Sequence, residues 1–156
     1  MIKAESLVSA DIKKRSYKAR KNPALFVLRG IRDLIFRMKE KVGIGFIGTG
    51  FARKVQIPAF AVCENAEIVS VSSANQANAE STAKEFDIPH FTDNWRETVE
   101  HEKVDLVCIT TPPVLHFEQT LYAVECGKNI LCEKPMAMTF EEAQTMTEKA
   151  REKQVL

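Results

Sequence analysis

Apolar residues keep two different rhythms along this chain, and the change comes near residue 41. From Val42 onward, short apolar runs alternate with longer amphipathic ones, the first spaced for strands and the second for helices. Strands are predicted over residues 42–48, 67–73, 89–91, 104–110 and 128–132. Helices are predicted over residues 51–64, 76–86, 94–101, 115–126 and 139–153. The first of these helices is expected to break near Pro58, which has no N–H to offer an interior turn. Gly127 stands where a left-handed cap closes a helix, and Thr139 with Glu142 reads as a capping box. Residues 104–110 are almost wholly apolar, the composition of a strand covered on both faces. This alternation predicts an α/β fold, a doubly wound parallel sheet with right-handed crossovers. The chain stops where a sixth strand would stand, so the fold is expected to be truncated at its C-terminus.

Upstream, residues 1–22 are polar and basic without periodicity and read as a flexible arm. Residues 23–41 change to helical spacing, with Leu25, Phe26, Leu28, Ile31, Leu34, Ile35 and Met38 on one face and Arg29, Arg32, Asp33 and Arg37 on the other. The chain thus divides into a basic segment, 1–41, and a domain, 42–156. Residues 1–41 hold 12 of the 22 Lys+Arg and 4 of the 21 Asp+Glu, so a net charge of +1 conceals a basic arm on an acidic domain. Such a helix can lie on an anionic membrane, dock on a partner or pack on its own domain. Alternatively, Met38 would make an ordinary start, leaving residues 1–37 as an extension without a part in the fold. Few aromatics interleave the basic residues, which speaks against nucleic acid. Cys63, Cys108, Cys126 and Cys132 show no metal-binding spacing and read as reduced core thiols of a cytoplasmic protein. No apolar run is long enough for a membrane span.

Candidate chemistry collects at the predicted carboxyl ends of the strands. Gly48-Thr49-Gly50 follows a strand and opens a helix, where glycines let backbone amides approach a pyrophosphate. Phe51, Ala52 and Arg53 complete this turn. The third small residue of the usual dinucleotide fingerprint would fall at position 53, which is arginine, so close packing of helix on strand is expected to suffer. Arg53 or Lys54 is placed to reach a phosphate. The second strand ends in Ser72-Ser73-Ala74-Asn75, with no carboxylate to repel a 2′-phosphate. NAD and NADP both remain open, with a tilt toward NADP. Thr110-Thr111-Pro112-Pro113 and His116 follow the buried fourth strand. The two prolines force an extended corner, and His116 reads equally well as a site residue or a packing one. Glu133-Lys134-Pro135 ends the fifth strand, where a lysine can reach a substrate hydroxyl or a nicotinamide ribose.

Taken in order, Gly48-x-Gly50, T-P-P-x-x-H, and A-x-x-x-G-K-x-x-L-C-E-K-P from Ala123 to Pro135 resemble the Gfo/Idh/MocA oxidoreductases. The resemblance covers residues 42–156 and is tightest from Val104 to Pro135. It implies a Rossmann domain binding NAD or NADP, and hydride transfer at a hydroxyl-bearing carbon of a sugar or polyol-like substrate. It further implies that Lys134 is the catalytic residue, with Glu133 and Pro135 shaping its loop and Thr111, Pro112 and His116 lining the cleft. Family members add a substrate domain that is absent here, so the chain is expected to bind cofactor without turning over. The uncovered face is expected to self-associate or recruit a partner chain. The competing expectation is a non-catalytic, sensory NAD(P)-binding module tethered through its basic segment.

Overall fold

The structure is a computed structural model that describes residues 41–156. Expectations for residues 1–40, the arm and the amphipathic helix, lie outside the described residues. Five parallel strands form one sheet in the order β3-β2-β1-β4-β5: β1 Val42–Ile47, β2 Ala66–Ser72, β3 His90–Thr92, β4 Leu106–Ile109 and β5 Asn129–Cys132. Strand order reverses between β1 and β4, the point at which a crevice opens in such sheets. The four crossovers carry α1 Ile57–Ala61, α2 Gln76–Phe86, α3 Trp95–Glu100 and α4 His116–Glu125, and α5 Phe140–Lys153 follows the last strand.

Two apolar layers sandwich the sheet. One joins Ile44, Phe46, Ala52, Ile57, Val71, Ala83, Ile88 and Cys108; the other joins Ile47, Val69, Val99, Val104, Val107, Ile109 and Ala123. Alternation along β1 feeds both layers, as a strand covered on two faces requires. In β2 the register slips between Ile44, opposite Ile68, and Gly45, opposite Ser70, which leaves Val69 as an extra residue. That bulge sends Val69 to one layer while Val71 reaches the other.

The first helix does not break at Pro58. A π-helical turn, Ala52–Gln56, runs directly into α1, and the Ile57 N–H reaches back five residues to Ala52 O. The widened turn lets the chain absorb an imino acid that cannot donate, so the helix continues where regular spacing would end it. Pro112 is extended, as two prolines suggest, but Pro113 already opens a 3-10 turn, Pro113–Leu115, that leads into α4. Gly127 takes φ +70°. At α5, Thr139 Oγ1 accepts from Glu142 N–H at 3.2 Å, while the Glu142 carboxylate turns back to Met138 N–H at 3.0 Å. All four cysteines are free, yet only Cys108 is buried; Cys63 and Cys126 are exposed and Cys132 is intermediate, so the expectation of core thiols holds for one. Among the described residues no helix is long and apolar enough to cross a membrane.

Glycines inside β1 serve packing that the sequence did not disclose. A Cβ on Gly43 would sit 1.7 Å from the Lys103 carbonyl oxygen, and one on Gly45 would sit 2.8 Å from Thr98 Cγ2. Replacement of Gly43 by alanine should therefore displace backbone and destabilise the domain by about 3 kcal/mol in urea unfolding, the upper range for overpacking; an unchanged midpoint would refute this contact. Burial, reinforced by the Glu133 charge, pushes the Cys108 thiol from 9.0 to about 12. A folded-state value above the unfolded one stabilises fully below pH 9 and is lost as pH rises toward 12. Guanidinium midpoints should thus fall more steeply over that window in wild type than in Cys108→Ala, and parallel curves would contradict the assignment.

Candidate functional site

Every strand with a neighbour on its β3 side hands over to its loop in the same way. The first residue past the strand donates its N–H to the last carbonyl of that neighbour: Gly48 to Ser72 O at 2.8 Å, Ser73 to Thr92 O at 3.2 Å, Thr110 to Ile47 O at 2.9 Å and Glu133 to Ile109 O at 3.0 Å. Four loops therefore leave the sheet at staggered but fixed levels on its carboxyl edge. They carry the glycine turn, the Ser73 turn, the T-P-P segment and the E-K-P segment to one end of the sheet.

At the glycine turn the two glycines differ. Gly48 has φ +98°, and a Cβ there would meet Thr110 Oγ1 at 2.8 Å, so the fold itself requires glycine. Thr110 Oγ1 locks this bend by donating to the Ile47 and Gly48 carbonyls, each at 3.1 Å. Gly50 has the opposite character: a Cβ there would meet nothing within 4 Å. Nothing within the fold demands glycine at Gly50, whereas a group laid against the turn would. The helical ladder begins with Arg53 N–H to Thr49 O at 3.1 Å, so the amides of Gly50, Phe51 and Ala52 precede its first bond. Unbonded amides at a helix start and the positive end of its dipole suit an anion. Residues and space at this turn fit a dinucleotide pyrophosphate.

The departure at position 53 does not harm packing. Ala52 is fully buried against the sheet and supplies the small residue, while Arg53 is exposed on the far side. The π-helical turn makes that offset workable. Arg53 does not stand free for a phosphate: its Nε donates to Glu85 Oε2 at 2.6 Å and its guanidinium also reaches Ser81 Oγ at 3.4 Å, both on α2. Lys54 is exposed.

The remaining expected residues divide into lining and framework. Thr49 Oγ1 bonds Ser73 Oγ at 3.5 Å, and Ser73 stays partly exposed beside Asn75, the N-cap of α2. Ser72 was expected to line the site, but its hydroxyl turns inward to Phe46 O at 3.2 Å and is fully buried, since strand alternation points it into the sheet layers. His116 likewise lies fully buried, which withdraws its ring from the cleft. Its Nε2 lies 2.8 Å from Thr111 O and its Nδ1 3.0 Å from Pro135 O, so the ring sits between the T-P-P loop and the E-K-P loop, and each neutral tautomer donates to one of the two carbonyls. Thr111 is steadied further by donating from Oγ1 to Gln119 Oε1 at 2.6 Å. Pro112, Lys134 and Pro135 are exposed, and Phe51 is 45% exposed at the mouth of the turn. The Lys134–Pro135 peptide is cis.

Two contributors escaped the sequence reading. Gln56 is buried and donates from Nε2 to Glu133 Oε1 at 2.7 Å. Gln119, also buried, holds Thr111. A polar amide on the inward face of each helix was the only sign of either, and such amides are more often satisfied within their own neighbourhood.

Known proteins resemble this chain in sequence and in fold. The chain is 32% identical over 125 residues to levoglucosan dehydrogenase of Pseudarthrobacter phenanthrenivorans, covering 75% of this chain and 32% of that protein. It is 37% identical over 107 residues to glucose-6-phosphate 3-dehydrogenase of Bacillus subtilis, covering 69% and 30%. A 3-ketoreductase of Actinomadura kijaniata, solved with NADP and TDP-benzene, superposes with a TM-score of 0.71 at 26% identity, covering 74% of this chain and 36% of that one. The chain thus spans 30–36% of the length of these relatives. Residues 42–156 match the Gfo/Idh/MocA oxidoreductase family over its NAD-binding Rossmann fold, and to that family this chain belongs.

Proposed function

We propose that this chain supplies the cofactor-binding half of an NAD(P)-dependent oxidoreductase acting on a hydroxyl or carbonyl carbon of a sugar or polyol-like substrate. The observation that carries the reading is Gly50, a glycine the fold does not need, facing open space at the head of a helix whose leading amides precede its own ladder. In this reading Gly48, Thr49, Gly50, Phe51 and the Ala52 backbone hold the diphosphate, and Ser73 meets the adenosine ribose. Thr110, Thr111 and Pro112 border the dinucleotide, while Glu133, Lys134 and Pro135 border its reactive end. The bound nicotinamide supplies hydride transfer. Lys134 orients the reacting oxygen and holds or passes its proton at Nζ, the task of a general acid–base group.

The absence of a carboxylate after β2 favours NADP, because no negative charge opposes a 2′-phosphate at Ser73-Ala74-Asn75. Pairing of Arg53 with Glu85 keeps that preference modest. Beyond Lys134, Met136, Met138 and Phe140 expose large apolar side chains, as a face made to be covered by a substrate domain or partner chain would. Without such a cover nothing excludes water from the reacting carbon, so the chain alone binds cofactor and turns over little. Four free thiols suit a reducing, cytoplasmic setting.

Fluorescence titration should show NADPH binding more tightly than NADH. Gly50→Val should weaken both by about tenfold or more, a change of roughly 1.4 kcal/mol, while leaving thermal stability almost unaltered. Equal affinity of the variant and wild type would refute the placement of the diphosphate.

A further inference from the structure

Gln56 closes the π-helical turn, and its side-chain amide is used by another part of the chain. Nε2 donates to Glu133 Oε1 at 2.7 Å, while the second carboxylate oxygen of Glu133 accepts from Lys134 N–H at 3.3 Å. The other end of the amide, Oε1, is buried with no partner. Burying a carbonyl oxygen unpaired is unfavourable, and a leucine of similar size at this buried position would avoid that cost. Packing alone therefore does not account for glutamine here; its bond to a carboxylate does, since hydrogen bonds to charged groups are the stronger kind. The π-helical turn is part of the same device, because it sets Gln56 off the regular helical ladder, as Ile57 N–H reaching Ala52 O shows.

On the far side of Lys134, the His116 ring holds the Pro135 carbonyl. Lys134 is thereby gripped through the residue before it and the residue after it. The Glu133 grip comes from the helix that opens at the glycine turn; the Pro135 grip comes from the helix after the T-P-P segment.

We infer that Gln56 is a positioning residue that ties the glycine-turn helix to the Lys134 loop, so that occupation of the turn and placement of the lysine are coupled. The coupling to a ligand rests on the dinucleotide reading given above; the tie itself does not. Amide hydrogen exchange on the folded chain tests both. In the free chain, Gln56→Leu should speed exchange across residues 133–136 by about tenfold, the factor expected for loss of one charge-assisted bond, while β4 amides keep their rates. The double variant Gln56→Glu with Glu133→Gln reverses donor and acceptor and should restore the slow rates, which a mere packing role for Gln56 would not produce. With NADPH, wild type should slow at residues 49–52 and also at 133–136; in Gln56→Leu the slowing at 49–52 should persist, while residues 133–136, protected only by direct contact with the dinucleotide, should slow several-fold less than in wild type. Unchanged exchange at 133–136 in Gln56→Leu, or no rescue in the double variant, overturns the inference. Absence of NADPH protection at 49–52 in wild type would instead strike the dinucleotide reading, and the free-chain comparison would still decide the tie.

Discussion

The site depends on one repeated backbone interaction, the hydrogen bond by which the first residue after a strand donates to the last carbonyl of its neighbour. Because Gly48, Ser73, Thr110 and Glu133 each make it, the loops that follow begin at positions dictated by sheet register. Parallel pairing fixes that register, and β1 stands at the centre with β2 on one side and β4 on the other. The carboxyl ends of those strands are where a crevice must form in this topology. Side chains then adjust loops whose starting points the sheet has already set.

Adjustment comes from a small number of buried polar groups. Thr110 locks the bend at Gly48, His116 joins two loops through their carbonyls, and Gln56 reaches from the first helix to Glu133. Polar atoms removed from water in this way favour geometries in which they are paired, which makes the contacts specific as well as favourable; Gln56 Oε1 is the exception among them. The exposed members, Phe51, Lys134 and Pro135, are left for whatever occupies the cleft. Buried framework groups and exposed residues are thus interleaved within the same motifs.

Much of this was legible in the sequence. Alternating runs of strand and helix spacing, and the glycine turn between them, gave the parallel architecture and the end of the sheet that matters. Periodicity could not show the π-helical turn, because a single wide turn, marked by Ile57 N–H reaching Ala52 O, is too short to leave its own period in the apolar pattern of residues 51–61. The orientation of Ser72 and His116 was hidden for a related reason. Their motifs give proximity to the cleft, but the direction of a side chain follows from strand alternation and helix phase at one residue's resolution. At Gly43 and Gly45 the constraint is tertiary: the Lys103 carbonyl of the α3–β4 connection lies against the first and the Thr98 and Val104 side chains against the second, which no local pattern carries.

The central claim is that amides at the start of the first helix hold a diphosphate at the carboxyl edge of the sheet. Its most direct test is an amide-resolved nuclear magnetic resonance spectrum of the chain followed through addition of NADPH. The account predicts the largest shifts at Gly48, Thr49, Gly50, Phe51 and Ala52, with smaller ones at Ser73, Thr111 and Lys134. Shifts gathered instead around Asn65, Lys103 and Lys128, at the amino ends of the strands, would contradict it.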